Sequence, residues 1–140
     1  MTIAHRPRVL IADDHPEVGA RVSALLAHHF VVLGTVADGA ALVSATSIAH
    51  PDVLVVDICM PIMNGLEALL ALRDRGACIP AVCLSSCIEA EVIEAAWDAG
   101  AFGYVVKTSI VQDLVPAIHA ALRRERFVSP AVLSAVADRP

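Results

Sequence analysis

The sequence has little lysine, few aromatic residues and no run of basic residues. Of the ten basic residues in this chain of 140, nine are arginine and only Lys107 is a lysine. Aromatic residues make up 4% and charged residues 18%, and the formal net charge is −5. Since binding to nucleic-acid phosphates depends on clustered basic side chains, this acidic chain is not expected to bind DNA or RNA by itself.

Metal-binding cysteine pairs and long apolar segments are also missing. The four cysteines lack the spacing of a zinc site, so we expect reduced thiols in or near the core. They are Cys59, Cys78, Cys83 and Cys87. Although the mean hydropathy is +0.69, the uncharged stretches are too short to cross a bilayer. Residues 1–8 lack the apolar core of a secretory signal, which favours the cytoplasm.

What the sequence does have is an alternation of short apolar runs with segments whose apolar residues have helical spacing. At 57% hydrophobic residues, a chain of this length forms one domain with a full core. The predicted strands are residues 8–12, 31–36, 53–56, 81–84 and 103–106. The predicted helices are one that begins at Pro16 and those at 40–49, 65–75, 89–99 and 109–124. Strands that are apolar throughout, in series with helices, predict an α/β fold with a doubly wound, five-stranded parallel sheet.

The C-terminal third carries two irregular features. Pro116 falls inside the fifth predicted helix, where it removes a backbone donor and bends the helix. Residues 125–140 form a tail that is broken at Ser129-Pro130 and has weak helical spacing beyond the break. We therefore predict one domain over residues 1–124 and a separate tail over residues 125–140.

Charged or reactive side chains stand at the carboxyl ends of four of the five predicted strands. They are Asp13 and Asp14 after the first strand, Asp57 after the third, Ser85 and Ser86 after the fourth, and Lys107 after the fifth. In doubly wound sheets this is the edge at which ligands bind. Three carboxylates at one edge repel each other, and a hard divalent cation such as Mg2+ relieves that repulsion.

Lys107 and Ser85 complete a set of groups that suits a phosphorylated carboxylate. Phosphoryl transfer needs mainly positioning and charge neutralisation, and an aspartate nucleophile forms an acyl phosphate. Structural roles stay open beside this interpretation. Asp57 could be a helix cap or a turn residue, one of Asp13 and Asp14 could be a helix cap, and Lys107 could be a plain ion-pair partner.

Three segments together resemble the motifs of bacterial response-regulator receiver domains. They are Val9–Glu17, Val53–Gly65 and Gly100–Lys107, within a match that covers about residues 7 to 124. The Asp-Asp-His-Pro form of the first segment and the segment Arg126–Pro130 are similar to the NarL/FixJ (LuxR-type) subfamily. The resemblance implies a (βα)5 fold of the flavodoxin and CheY type.

The resemblance implies a role for each acidic residue. Asp57 would accept a phosphoryl group from the phosphohistidine of a sensor histidine kinase. Asp14, Asp57 and the backbone carbonyl of Cys59 would bind Mg2+, and Asp13 would act largely through water. An aspartate-nucleophile phosphohydrolase of the haloacid dehalogenase type is a weaker alternative, because that family has its nucleophile after the first strand.

The resemblance also implies how the phosphate is held and sensed. Lys107 would pair with the phosphate and Ser85 would hydrogen-bond to it. Tyr104 matches the switch aromatic of the family, which is expected to turn inward when Ser85 moves; an ordinary strand residue is the alternative. Cys59 and Cys87, together with Ser86, flank the expected pocket and could modulate it, although small filler residues are the simpler interpretation.

The expected output is a partner surface that phosphorylation switches. A homodimer could form through the fourth helix, fifth strand and fifth helix, or through the first and fifth helices. Val111, Leu114, Val115 and Ile118 would contribute to it unless they pack in the core. DNA would be contacted only through a C-terminal helix-turn-helix effector domain, to which residues 125–140 would lead. A stand-alone regulator and a phosphorylation-independent binding module are the alternatives.

Overall fold

The computed structural model describes residues 6–137, with the side chains of the last helix described as far as Leu133. The elements are β1 Arg8–Ala12, α1 Pro16–Leu26, β2 Val31–Val36, α2 Gly39–Ala49, β3 Val53–Asp57, α3 Gly65–Asp74, β4 Ala81–Ser85, α4 Ala90–Asp98, β5 Gly103–Val106, α5 Ile110–Leu122, β6 Phe127–Val128 and α6 Pro130–Ala137. Residues 1–5 of the predicted domain and 138–140 of the predicted tail lie outside this description. Within the described part, no helix is both long enough and apolar enough to cross a membrane.

The strands form one sheet in the order β2-β1-β3-β4-β5-β6, and every neighbouring pair is parallel. The predicted α/β class with a doubly wound sheet is confirmed. The sheet has one strand more than the five that were predicted, because Phe127 and Val128 pair with Gly103 and Tyr104 of β5. Two residues are too few to produce a recognisable strand pattern.

Helices cover both faces of the sheet, and this explains the apolar strands. β3 and β4 are buried at every residue, whereas β2 at the sheet edge is partly exposed. Because successive strand residues point to opposite faces, Val53 and Val55 pack in the cluster with α1 and α5. Leu54 and Val56 pack in the opposite cluster, with α2, α3 and α4.

The loop from β3 to α3 passes close to the end of β3. A Cβ atom on Gly65 would lie 2.4 Å from the carbonyl oxygen of Asp57, so only glycine fits there. Asn64 and Glu67 form a reciprocal capping box at the start of α3. This glycine contact and the cap together fix the backbone around Asp57.

α5 contains Pro116 as predicted and runs through it without interruption. Pro116 is exposed, and its missing N–H leaves the carbonyl of Gln112 without a helical donor. Leu114 and Ile118 are fully buried in the core. Of the four apolar residues considered for a dimer surface, these two are therefore core residues, while Val111 is 80% exposed.

The segment that follows α5 packs against β5 and α4. The backbone N–H of Ser129 donates to the carbonyl of Tyr104 at 3.0 Å, and the N–H of Val106 donates to Ser129 Oγ at 3.1 Å. The Arg126 guanidinium stacks over the Trp97 ring, 4.9 Å from its centroid. The described part of the predicted tail therefore extends the sheet and covers the open edge of β5.

Candidate functional site

The predicted polar residues meet at the carboxyl edge of the sheet, after β1, β3, β4 and β5. Asp57 is the last residue of β3 and Ser85 is the last residue of β4. Asp13 follows β1 directly, and Lys107 follows β5 directly. Asp13, Asp57 and Ser85 are all buried. The parallel topology thus brings together side chains that are far apart in the sequence.

Both carboxylate oxygens of Asp57 accept a hydrogen bond. Lys107 Nζ lies 2.9 Å from Oδ2, and the backbone N–H of Cys59 donates to Oδ1 at 3.0 Å. The Asp57 side chain is 1% exposed and that of Lys107 is 20% exposed. The Asp57 carboxylate is therefore largely removed from water at the edge of the sheet, whereas the Lys107 ammonium can move toward solvent.

Burial governs the ionisation of this pair. It raises the pKa of Asp57 above its ordinary value, and the bonds from Lys107 and Cys59 oppose the shift only partly. For Lys107, burial acts to lower the pKa, but the Asp57 bond and the nearby acidic charges outweigh it, so the pKa is raised. Compared with free side chains in water, the site therefore stabilises the charged form of Lys107 and destabilises the charged form of Asp57.

Three carboxylates and one imidazole form a cluster at this edge. Asp13, Asp14, His15 and Asp57 each offer a donor atom, and these four atoms lie within 4.8 Å of one another. The Asp13 side chain is fully buried, and its Oδ2 has no hydrogen-bond partner among the described residues. A buried, unpartnered carboxylate oxygen carries a desolvation penalty that a bound cation removes. The oxygen-rich donor set fits Mg2+.

His15 is the member of this cluster that the sequence reasoning missed. Its Nδ1 lies 3.2 Å from Asp13 Oδ1, 3.1 Å from Asp14 Oδ1 and 3.7 Å from Asp57 Oδ2. The Asp14 contact does not have hydrogen-bonding geometry, so Asp14 Oδ1 stays unsatisfied among the described residues. The only signal for His15 in the sequence was its place between Asp14 and the helix start at Pro16.

A chain of hydrogen bonds connects Ser85 to Tyr104. The backbone N–H of Cys87 donates to Ser85 Oγ at 2.9 Å, and the Tyr104 hydroxyl donates to the Cys87 carbonyl at 2.6 Å. Burial raises the pKa of Tyr104 to about 12, so the hydroxyl remains a donor at neutral pH. The resemblance implied a ring that turns inward on activation, but here the ring is already fully buried, because the Cys87 carbonyl satisfies its hydroxyl.

The cysteines are less buried than expected. None of the four forms a disulfide, but only Cys83 is a core residue, and burial raises the pKa of its thiol to about 12. Cys59 and Cys78 are exposed and Cys87 is half-buried. Ser86 is also exposed. Loop positions after the strand ends explain the exposure of Cys59, since the chain leaves the sheet at Asp57.

The fold and this site define a class of signalling domain, and comparison with known proteins agrees. Residues 9–119 match the family described as the response regulator receiver domain. The chain is 31% identical over 123 residues to the transcriptional regulatory protein PdtaR of Mycobacterium tuberculosis, covering 87% of this chain and 60% of PdtaR. It is 32% identical over 131 residues to the nitrate/nitrite response regulator NarL of Escherichia coli, covering 92% and 61%.

Solved structures place the chain in the same family. A LuxR-family two-component response regulator from Aurantimonas superposes with a TM-score of 0.88 at 28% identity, covering 95% of this chain and 96% of that one. The receiver domain of a putative NarL from Mycobacterium tuberculosis gives 0.81 at 28% identity, covering 86% and 98%. The chain belongs to the response regulator receiver domains, and the NarL/LuxR resemblance is confirmed. It spans 60% and 61% of the length of PdtaR and NarL.

Proposed function

We propose that Asp57 of this receiver domain accepts a phosphoryl group from the phosphohistidine of a sensor histidine kinase, as a cytoplasmic phosphoacceptor. The observation that carries the proposal is the position of Asp57. It is buried at the sheet edge, bonded to the sole lysine at 2.9 Å, and faces an acidic cluster with an unpartnered oxygen. A structural ion pair alone would not explain the additional carboxylates.

The chemistry is transfer of a phosphoryl group between two nucleophiles. An oxygen of the Asp57 carboxylate attacks phosphorus, the bond from phosphorus to the histidine nitrogen breaks, and that nitrogen regains a lone pair and takes up a proton. Lys107 neutralises charge on the phosphoryl oxygens. Asp14, Asp57 and the carbonyl of Cys59 would hold Mg2+, with Asp13 acting through water, and the bound ion would supply further charge neutralisation.

The phosphoryl group changes the hydrogen bonds that hold the switch region. It carries nearly two negative charges and three acceptor oxygens in place of the single charge of the Asp57 carboxylate. Ser85 is drawn toward these oxygens and gives up its bond from the Cys87 N–H, which is 2.9 Å long here. Because the Cys87 carbonyl holds the Tyr104 hydroxyl, the shift reaches β5. The Tyr104 carbonyl in turn accepts from Ser129, so the signal continues into the C-terminal segment.

We propose that this segment leads to an effector domain in the whole protein. PdtaR carries the description of a transcriptional regulatory protein and NarL that of a response regulator, so we propose that phosphorylation controls a C-terminal helix-turn-helix domain that binds DNA. Residues 1–124 are then the receiver, and residues 125–140, which first add β6 to its sheet, lead to the linker. A stop codon directly after Pro140 in the gene would contradict this and favour a stand-alone regulator.

Of the two dimer surfaces considered, we propose the one formed by α1 and α5. β6 covers the open edge of β5, which leaves less of the face formed by α4, β5 and α5 for a second subunit. On the other side, Val111 is 80% exposed, and it lines a groove with Val18 and Leu25 of α1. Replacing Val111 with Asp should therefore prevent phosphorylation-dependent dimerisation in size-exclusion chromatography, and an unchanged dimer would contradict this choice of surface.

The thiols beside the pocket are a second, smaller proposal. Cys59 is exposed and Cys87 half-buried, and each lies two residues beyond a phosphoryl-binding position, with exposed Ser86 between Ser85 and Cys87. Oxidation of either thiol would alter the access of water to the acyl phosphate. The half-life of the phosphorylated protein should then differ between reducing and peroxide-treated samples. Equal half-lives would contradict this role.

The proposed function is tested by incubation with Mg2+ and acetyl phosphate, followed by intact-mass measurement. The wild type should gain one phosphoryl group, and Asp57→Ala should gain none. Asp74→Ala is the matched control, since Asp74 is an exposed aspartate at the end of α3, and it should behave like the wild type. No adduct on the wild type would contradict the proposal and favour a phosphorylation-independent binding module.

A further inference from the structure

We propose that His15 is a direct ligand in the cation site and gives it a preference for octahedral first-row transition ions such as Co2+ over Mg2+. The inference deepens the proposed function and rests on it, because the same carboxylates hold the cation. It assigns a residue outside the oxygen-donor set of the proposed Mg2+ site. The observations that carry it are donor distances, an unpartnered buried oxygen and the chemistry of imidazole.

Two of the distances around His15 Nδ1, those to Asp13 and Asp14, match the separation of neighbouring ligands of one ion. With metal–ligand bonds of about 2.1 Å, adjacent corners of an octahedron lie about 3 Å apart. Nδ1 lies 3.1, 3.2 and 3.7 Å from oxygens of Asp14, Asp13 and Asp57, respectively. An imidazole that merely formed an ion pair would need only one of these contacts, whereas Nδ1 stands close to all three carboxylates.

The backbone holds His15 at this position while the ring keeps its freedom. The His15 N–H donates to Asp13 Oδ1 at 2.8 Å, and Pro16 starts α1 directly after it. The His15 side chain is 58% exposed, so small rotations of the ring meet little resistance from packing. The chain therefore fixes the approach of the imidazole to the carboxylates, while the ring can adjust its orientation to an ion.

The second observation is an oxygen that lacks a partner. Asp13 has no side-chain exposure, and its Oδ2 makes no hydrogen bond within the described residues. Lys107 does not satisfy it, since its ammonium is bonded to Asp57 Oδ2. A buried carboxylate oxygen in a four-donor cluster indicates a cation that binds there.

The donor set explains the preference among cations. Mg2+ takes oxygen ligands and keeps several waters, so an imidazole adds little to its binding. Imidazole is a good ligand for the later first-row ions, whose affinities also rise along the series from Mn2+ to Cu2+. Three carboxylates alone would bind both classes of ion, so His15 is the group that gives the site a preference for the transition ions.

The test is calorimetric titration of the chain with Co2+ alone and with Mg2+ alone, in the wild type and in His15→Ala. Loss of a direct ligand should weaken Co2+ binding by at least about tenfold, since even outer-sphere partners contribute about 10-fold to 100-fold. The Kd for Mg2+ should change much less. His28→Ala is the matched control, because His28 is exposed beyond the end of α1, and both affinities should stay as in the wild type.

A spectroscopic measurement distinguishes ligation from a structural role. Proton NMR of the Co2+ complex should show a strongly shifted, solvent-exchangeable N–H resonance of the coordinated imidazole. That resonance should be absent from His15→Ala and present in His28→Ala. Its presence in His15→Ala would overturn the assignment.

The remaining outcomes separate this inference from the proposed function. If His15→Ala weakens the binding of Co2+ and Mg2+ equally, or does not weaken Co2+ binding, the inference is overturned. This holds even when phosphorylation with Mg2+ proceeds normally. Absence of Mg2+ binding and of phosphorylation in the wild type overturns the proposed function instead. Tight Co2+ binding that depends on His15 would still support the ligand assignment in that case.

Discussion

Within a single strand, burial has opposite effects on the residues in the interior of the sheet and on the residue at its carboxyl edge. Along β3, Val53, Leu54, Val55 and Val56 are apolar and fully buried. The next residue, Asp57, is equally buried but carries a carboxylate. The interior residues gain free energy from burial, whereas burial opposes the ionisation of Asp57 and raises its pKa.

The difference indicates where the domain gives up stability for function. At the edge, Asp13 Oδ2 lacks a partner among the described residues, and Ile62, in the loop that follows β3, has φ +68°. A β-branched residue in that region is strained. The well-packed interior below keeps these unfavourable groups in place. Mutations in the two regions should therefore change stability in opposite directions.

The largest expected effect is a core truncation. Leu54→Ala removes a fully buried side chain from the centre of the sheet and should lower the free energy of unfolding by about 3 kcal/mol. Leu70→Ala is the control, since Leu70 on α3 is 39% exposed, and it should lower stability by less than about 1 kcal/mol. Urea denaturation measures both, and equal losses would erase the contrast between interior and surface.

Removing one charge from the acidic edge should have the opposite sign. Asp13→Asn keeps the acceptor for the His15 N–H but removes a carboxylate from the cluster, so the metal-free protein should gain about 1 kcal/mol. Mg2+ affinity should fall at the same time. Urea denaturation in EDTA and calorimetry measure the two effects. A destabilised, metal-free Asp13→Asn would contradict the view that the edge is unfavourable without a cation.

Relief of backbone strain gives a smaller gain. Asn tolerates positive φ better than isoleucine, so Ile62→Asn should stabilise the protein by up to about 1 kcal/mol. Ile48→Asn is the matched control, because Ile48 is similarly exposed at 81% but lies in a regular helix. It should give no gain. Thermal unfolding of the two variants compares them directly, and equal changes in Tm would mean that φ at Ile62 stores no strain.

The smallest expected effect is a pH dependence of stability. In metal-free protein the pKa of Asp57 lies above its ordinary value of 3.8, so the folded chain binds this proton more tightly than the unfolded chain. The contribution of protonated Asp57 is complete below pH 3.8 and is lost as the pH rises through the raised folded pKa. The free energy of unfolding of the wild type minus that of Asp57→Asn should therefore fall with rising pH in EDTA. A difference that rises with pH would contradict the sign of the shift.

The sequence predicted the sheet well because the strands are buried on both faces. Residues 8–12, 31–36 and 103–106 are strands with the predicted bounds, and two further strands are each one residue longer. It also predicted that Asp13, Asp57, Ser85 and Lys107 lie at one edge of the sheet, since a parallel topology aligns the strand ends. Local composition was sufficient for both predictions because apolar runs and their first polar residue are local features.

Other features depend on contacts that no local pattern records. Two-residue β6 forms only because β5 offers an open edge, and Ser129 then bonds to Tyr104 and Val106. The inward position of Tyr104 requires the Cys87 carbonyl from another loop. The approach of His15 to three carboxylates depends on the side-chain conformation of His15 and on the relative positions of β1 and β3. These long-range contacts determine how the site is linked to β5 and β6 and which side chains surround its carboxylates.

The most direct measurement of the central claim is chemical trapping of the phosphorylated residue. After incubation with Mg2+ and acetyl phosphate, hydroxylamine converts an acyl phosphate to a hydroxamate but leaves a serine phosphate intact. Peptide mass spectrometry should then find the hydroxamate on Asp57 and the loss of the phosphoryl group. A hydroxylamine-resistant phosphate on Ser85 or Ser86 would contradict the account.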